Sequence, residues 1–170
     1  MPRRDGRDPG GAEGAGVHTV RGRRPRNARR KLIVVDTSVA LKWVLDEPDS
    51  DHAREAMDRM LVAPDVWRVE AANGLRRAVR TGELPPQEAP RLLKVLDRAP
   101  VRDLPTPPLV PAGLELALSL GHPVYDCLFL ALAIEQDCKM LTADDAFLNV
   151  VRAAAPNLAG HLLRLADFAR

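Results

Sequence analysis

The sequence predicts an α/β domain with a parallel sheet and helices on both of its faces. Three observations carry this expectation. From Lys31 onward, short branched apolar runs alternate with amphipathic stretches. The first run, Leu-Ile-Val-Val at 32–35, is continuous and does not alternate, as a strand covered on both faces should be. Helical patterns also separate successive strand-like runs, which is what parallel pairing demands.

The elements follow in order. A strand at 32–35 leads into a short helix at 38–45 and a second helix at 50–61. Pro64 opens a helix running to 80, stopped by Gly82 and Pro85-Pro86. Another helix fits 87–98, and a weaker strand at 101–104 is closed by Pro105, Pro107 and Pro108. The pattern at 109–120 is helical up to Gly121, and 123–137 is the most apolar helix. A strand at 139–142, a helix at 145–152 and a short strand at 161–165 complete the chain.

Composition narrows the class. One hundred and seventy residues suffice for one domain with a proper core, and 46% apolar with 28% charged residues fit a globular protein. The longest apolar run, 127–134, is far shorter than the ~20 residues that span a bilayer. No secretory signal is visible, because 32–35 is too short for an apolar signal core. Cys127 and Cys138 show no ligand or redox spacing and predict a reduced, cytoplasmic setting.

The net charge of +2 conceals a split. Residues 1–30 hold nine Arg against three acids, and the remaining residues hold 16 basic against 20 acidic side chains. The domain is therefore acidic, and the basic balance of the whole chain does not argue for nucleic-acid binding. Residues 1–30, rich in Gly, Arg and Pro, lack the apolar content needed to order themselves and are expected to be a disordered basic extension. They are either a phosphate-touching arm or residues upstream of the true start, and the second reading is favoured because 31–35 begins a strand unaided. The domain itself is expected to span 31–168.

Four acids stand where chemistry is expected. Asp36 ends the first strand, at the edge where ligands bind to parallel sheets. A helix-capping role is the plain alternative, but Ser38 serves as cap and leaves Asp36 spare. On its helix face Glu70 neighbours Val66, Asn73, Gly74 and Arg77, at the edge of a buried stripe. An ion pair with Arg77 is the competing account. Asp126 heads an apolar stripe of Phe129, Leu130 and Ala133 in a first helical turn, a position ordinary first-turn acids also occupy. Asp144 and Asp145 follow the strand at 139–142; one caps the last helix, and Asp144 is preferred for the cleft. Together the four acids would converge on one sheet edge. Such an all-oxygen set suits Mg²⁺ or Mn²⁺.

Val34-Val35-Asp36-Thr37-Ser38-Val39, Glu70 before Asn73, Val124-Tyr125-Asp126-Cys127-Leu128-Phe129-Leu130-Ala131-Leu132-Ala133 and Leu141-Thr142-Ala143-Asp144 resemble PIN domains in motif, order and spacing. The likeness is strongest to the VapC-type toxins of toxin–antitoxin pairs. It covers 31 to about 168. The resemblance implies a five-stranded parallel sheet flanked by helices, Mg²⁺- or Mn²⁺-dependent endoribonuclease activity on RNA, usually a homodimer, and inhibition by a cognate antitoxin. It also implies Asp36, Glu70, Asp126 and Asp144 as the catalytic, metal-holding quartet. Ser38, Thr37, Thr142, Asp145, Asn73 and Arg77 are possible supporting residues. The basic extension and the doublet Asp144-Asp145 depart from the pattern.

Phosphate contacts in an acidic domain would need a local patch, for which Arg68, Arg76, Arg77, Arg80 and Lys42 are candidates. Arg68 and Arg76 also read as a solvated helix face. His122, three residues before Tyr125, could approach substrate, but a loop or cap role is the favoured reading. Leu41, Trp43, Val44, Met57, Met60 and Leu61 form either core or the antitoxin groove that the resemblance implies. A haloacid-dehalogenase phosphatase would need an acid at Ser38, and a receiver domain an acidic pair closing the first strand. A non-catalytic PIN fold that only binds RNA or protein is the serious alternative.

Because residues 1–30 offer nothing to bury, their deletion should leave the melting temperature within about 1–2 °C. A scanning-calorimetry drop well beyond that would mean the extension packs on the domain.

Overall fold

The computed structural model describes residues 31–168; the basic extension at 1–30 lies outside the described residues. Five strands, β1 (Leu32–Val35), β2 (Met60–Pro64), β3 (Val101–Leu104), β4 (Lys139–Thr142) and β5 (Leu162–Arg164), form one all-parallel sheet in the order β3-β2-β1-β4-β5. Seven helices join them: α1 (Thr37–Leu41), α2 (Ser50–Ala56), α3 (Trp67–Thr81), α4 (Ala89–Leu96), α5 (Val110–Leu120), α6 (Val124–Glu135) and α7 (Asp145–Ala154). The helices flank the sheet in two groups, α3 packing on α1 and α4, and α5 packing on α6 and α7.

Chain order explains where a site must fall. From β1 the chain steps outward to β2 and β3, then returns to the other side of β1 for β4 and β5. The direction of winding thus reverses between β1 and β4, and the crevice beyond their carboxyl ends is left uncovered by either set of connections. In a parallel sheet each helix that leads back to a strand starts at that same edge. The first turns of α3 and α6 therefore stand beside the ends of β1 and β4.

The core follows from the apolar runs. Ile33, Val34 and Val35 are buried, as are Met140 and Leu141 beside them. In α6 every residue from Cys127 to Ala133 is buried, so this helix is enclosed nearly all round. That enclosure fixes the start of α6, and with it Asp126. Gly113 lets α5 approach: a Cβ there would stand 2.8 Å from Leu128 Cδ2 on α6.

Several sequence expectations need correction. The helix assigned to 50–61 ends at Ala56, and its last residues belong to β2. Leu61, Val62 and Ala63 are all buried between β1 and β3, and a strand covered on both faces has no alternation to betray it. Pro64 closes that strand and does not open a helix; α3 begins at Trp67. The helix expected at 38–45 is the single turn and a half of α1. Helix α6 stops at Glu135, and Asp137 takes a left-handed conformation at φ 46°. Of the apolar group offered as core or groove, Leu61 is core, and Leu41, Trp43 and Val44 pack against it, the Trp43 indole donating to the Ala53 carbonyl at 2.8 Å. Met60 alone of these is largely exposed. Among the described residues no single helix is long and apolar enough to cross a membrane.

Candidate functional site

The cleft at the β1–β4 edge is a cavity of about 420 Å³ lined by Asp36, Glu70, Asp126 and Asp144 together with Thr37, Ser38, Asn73, Gly74, Arg77 and Tyr125. All four acids singled out from the sequence thus share one space. Asp145 is not among them.

Asp36 follows β1 directly, and its backbone N–H still donates to Leu141 of β4 at 3.0 Å. The residue is only 4% exposed. Its Oδ2 accepts from the Ser38 hydroxyl at 2.5 Å and from the Thr142 hydroxyl at 2.7 Å. Those hydroxyls are held in turn by the turn after β4: Ala143 N–H donates to Ser38 Oγ and Asp144 N–H to Thr142 Oγ1, each at 3.0 Å. Asp36 occupies the N-cap position of α1 without its side chain capping the helix. The expectation that Ser38 caps is therefore wrong. Its hydroxyl is spent on Asp36, a buried carboxylate that needs donors.

Glu70 lies in the first turn of α3, and its Oε2 accepts from Thr37 at 2.7 Å. Thr37, and not Arg77, is the partner of Glu70, which removes the ion-pair account. Asn73, Gly74 and Arg77 line the cleft one turn and two turns further on, as the helical spacing predicted. Asp126 lies in the first turn of α6, with His122 Nε2 at 2.8 Å from its Oδ2. Asp144 caps α7, its Oδ1 accepting from Phe147 N–H at 2.9 Å, and faces the cleft as well. Capping and cleft roles do not exclude each other here, because one carboxylate with two oxygens does both. Asp145 turns away to a two-point ion pair with Arg164 at 2.5 and 2.6 Å.

One oxygen of each acid is thus held by a side-chain or capping donor. Among the described residues the second oxygen of each has no side-chain donor. Three of the acids also titrate abnormally. Burial raises Asp36 to about 6 despite its two hydroxyl donors, with the charge of Asp126 adding to the rise. Burial likewise raises Glu70 to about 7, helped by Asp36 and Asp126 and opposed by Thr37. Burial raises Asp126, with His122 opposing and Asp144 reinforcing. Carboxyls that share a space and a low-dielectric wall resist ionising together.

The donor set is all oxygen, with one imidazole behind it, which fits a hard divalent cation. Among the described residues no three His, Cys, Asp or Glu side chains close into a cage for a bare ion. A roomy anionic cleft of this kind fits an ion that keeps part of its hydration shell.

The basic residues sort themselves clearly. Arg77 lines the cleft. Arg68 bridges Asp97 and Asp103 and stacks on the Trp67 ring, and Lys42 pairs with Glu47 at 2.7 Å, so neither is free to meet a phosphate. His122 is the residue that sequence reasoning undervalued. Its signal was present: it stands four residues before Asp126, separated by the helix-opening Pro123.

The PIN domain family model matches residues 33–153. Among solved structures, PAE2754 from Pyrobaculum aerophilum superposes with a TM-score of 0.59 over 80% of this chain and 92% of that one, at 20% sequence identity. At that identity the likeness is one of fold. Curated protein sequences give no significant match.

The shifted acids set a pH dependence for the metal-free protein. An acid whose folded pKa lies above its usual value, 3.8 for Asp36 and 4.5 for Glu70, destabilises the fold as pH rises from about 4 to about 7, because the unfolded chain ionises first. Above that window the cost is fully present; below it the cost vanishes. In chelator, stability should fall over this window, and Asp36→Asn should recover on the order of 1–3 kcal/mol at pH 8 and little at pH 4. Urea melts read this directly. A variant less stable than wild type at pH 8 would contradict it.

Proposed function

The chain belongs to the PIN domain family, and on that premise we propose that it is a Mg²⁺- or Mn²⁺-dependent endoribonuclease, the toxin component of a type II toxin–antitoxin pair. The observation that carries this reading is the convergence of Asp36, Glu70, Asp126 and Asp144 on one cleft at the switch point of a parallel sheet.

A bound divalent cation would neutralise charge developing on a phosphoryl oxygen and acidify a water. Asp36 and Asp126 would be its principal ligands, with Glu70 and Asp144 supporting it through water. Glu70, held by Thr37 on one oxygen, orients the attacking water and takes its proton. The water oxygen bonds to phosphorus in line as the bond to the 3′ oxygen breaks, and the leaving 3′ oxygen takes a proton from solvent. The products carry a 5′ phosphate and a 3′ hydroxyl. Asp144 fixes its carboxylate by capping α7, and Ser38 and Thr142 hold Asp36 in place.

Substrate contacts fall to the cleft walls. Arg77 meets a phosphate, as the cation of the patch that lines the cleft. Tyr125 and Val69, 55% and 61% exposed, give the cleft apolar faces against which an unpaired base can stack or pack. The same rim would take an apolar segment of the antitoxin, whose Lys or Arg would reach the acids. The protein is proposed to act as a homodimer.

Purified protein should cleave labelled single-stranded RNA with Mg²⁺ or Mn²⁺, stop on EDTA, and leave 5′-phosphate ends. Asp36→Asn and Asp126→Asn should each lower kcat by about 10²-fold or more without unfolding the protein. Arg77→Ala should act mainly on KM. RNA binding without cleavage would favour the non-catalytic reading; cleavage undiminished in both Asp variants would place the active site elsewhere.

A further inference from the structure

His122 stands outside the set of acids, yet its surroundings are organised around one contact. The residue precedes α6 in the turn between α5 and α6. Gly121, left-handed at φ 62°, reverses the chain there, and His122 N–H donates to the Ala117 carbonyl at 3.1 Å. The side chain is only 16% exposed. Its ring lies against Phe147, centroids 4.8 Å apart at 42°. Phe147 is fully buried, and its N–H is the donor that caps with Asp144. One α7 residue therefore seats the imidazole behind Asp126 and fixes the carboxylate of Asp144.

Asp126 needs such support. It is pushed by the charge of Asp144, and it acts in turn on Asp36 and Glu70. A first-turn carboxylate with free rotation about its own bonds would relieve this repulsion by swinging out to solvent. The donor at 2.8 Å on Oδ2 opposes that swing. In the tautomer with its proton on Nε2, the imidazole supplies the one N–H required.

We propose that His122 is a positioning residue, whose imidazole N–H holds the Asp126 carboxylate inside the cleft against the repulsion of the neighbouring acids and so completes the cation site. The inference rests on the cleft being that site, and makes its donor set five residues deep: four acids and the imidazole behind one of them. Removing an outer donor of this kind costs about 10–100-fold in metal affinity.

Two substitutions separate the hydrogen bond from the packing. His122→Phe keeps a ring against Phe147 and removes the donor; His122→Gln loses the ring and keeps an N–H at similar reach. Calorimetric titration of the full chain with Mn²⁺ alone reads the site without any turnover, with Asp126→Asn as reference. His122→Phe should bind Mn²⁺ about 10–100-fold more weakly than wild type. His122→Gln should bind close to wild type, and RNA cleavage at saturating Mn²⁺ should be restored further in either variant than in Asp126→Asn. Should His122→Phe fail to fold, His122→Leu is set against His122→Gln, since both lack the ring and only Gln keeps an N–H. Wild-type affinity in His122→Phe while Asp126→Asn has lost binding overturns the role of His122 and leaves the cleft reading standing. A loss in His122→Gln as large as that in His122→Phe means that an N–H at this reach does not supply the effect, and also overturns it. Undiminished binding in Asp126→Asn removes the cleft reading, and this inference with it.

Discussion

Burying a carboxylate at the end of the first strand is the constraint around which the rest of this edge is arranged. Asp36 sits at the carboxyl end of β1, almost without exposure, and an unpartnered charge there would cost several kcal/mol. Two hydroxyls, from Ser38 and Thr142, meet one of its oxygens, and each hydroxyl is itself anchored by a backbone N–H of the turn after β4. This ties β1, α1 and the β4–α7 turn into one hydrogen-bonded unit across the switch point. Thr142 has no exposed surface, so its place in that unit is fixed by the sheet itself.

The other acids repeat the arrangement on a smaller scale. Thr37 holds Glu70, His122 holds Asp126, and the first turn of α7 holds Asp144. Each donor comes from a different element, and each element begins or ends at the same sheet edge. Elements whose interiors are apolar, α6 above all, are thereby made to meet a ring of like charges at one end. The fold tolerates this because the burial of α6 and the central strands outweighs it, and burial makes Asp36, Glu70 and Asp126 harder to ionise together. A site of this kind sacrifices stability to hold charge in readiness, and the raised Asp36, Glu70 and Asp126 mark where.

Much of this was legible in the sequence, for identifiable reasons. The strands β1 and β4 end in an acid or lead to one, and parallel sheets place ligands at those ends, so Asp36 and Asp144 could be placed without the structure. The periodicity of α3 put Glu70 beside Asn73, Gly74 and Arg77, all of which line the cleft. What escaped was of two kinds. Strand β2 was hidden because both of its faces are covered, so Leu61-Val62-Ala63 carries no period of two, and the following proline reads equally as a helix start. The hydrogen-bond partners escaped because they depend on long-range contacts: Ser38 and Thr142 are separated by more than a hundred residues, and which hydroxyl caps a helix and which serves Asp36 is decided only when the strands pair. The contact of His122 with Asp126 escaped for the opposite reason. Its partner is four residues away, but across a proline that ends ordinary helical reasoning.

The central claim is that these four carboxylates form one anionic site that a divalent cation completes. Thermal melts with and without millimolar Mn²⁺, at pH 6 and pH 8, for wild type and Asp36→Asn, test it most directly. A ligand that binds only the folded, ionised cluster stabilises the fold more as its concentration rises above its dissociation constant. The account predicts that Mn²⁺ raises the melting temperature of the wild type, more at pH 8 than at pH 6, and that Asp36→Asn loses most of that rise. A shift of equal size in the variant, or none in the wild type at pH 8, would mean that the acids lining this cleft do not act as one site.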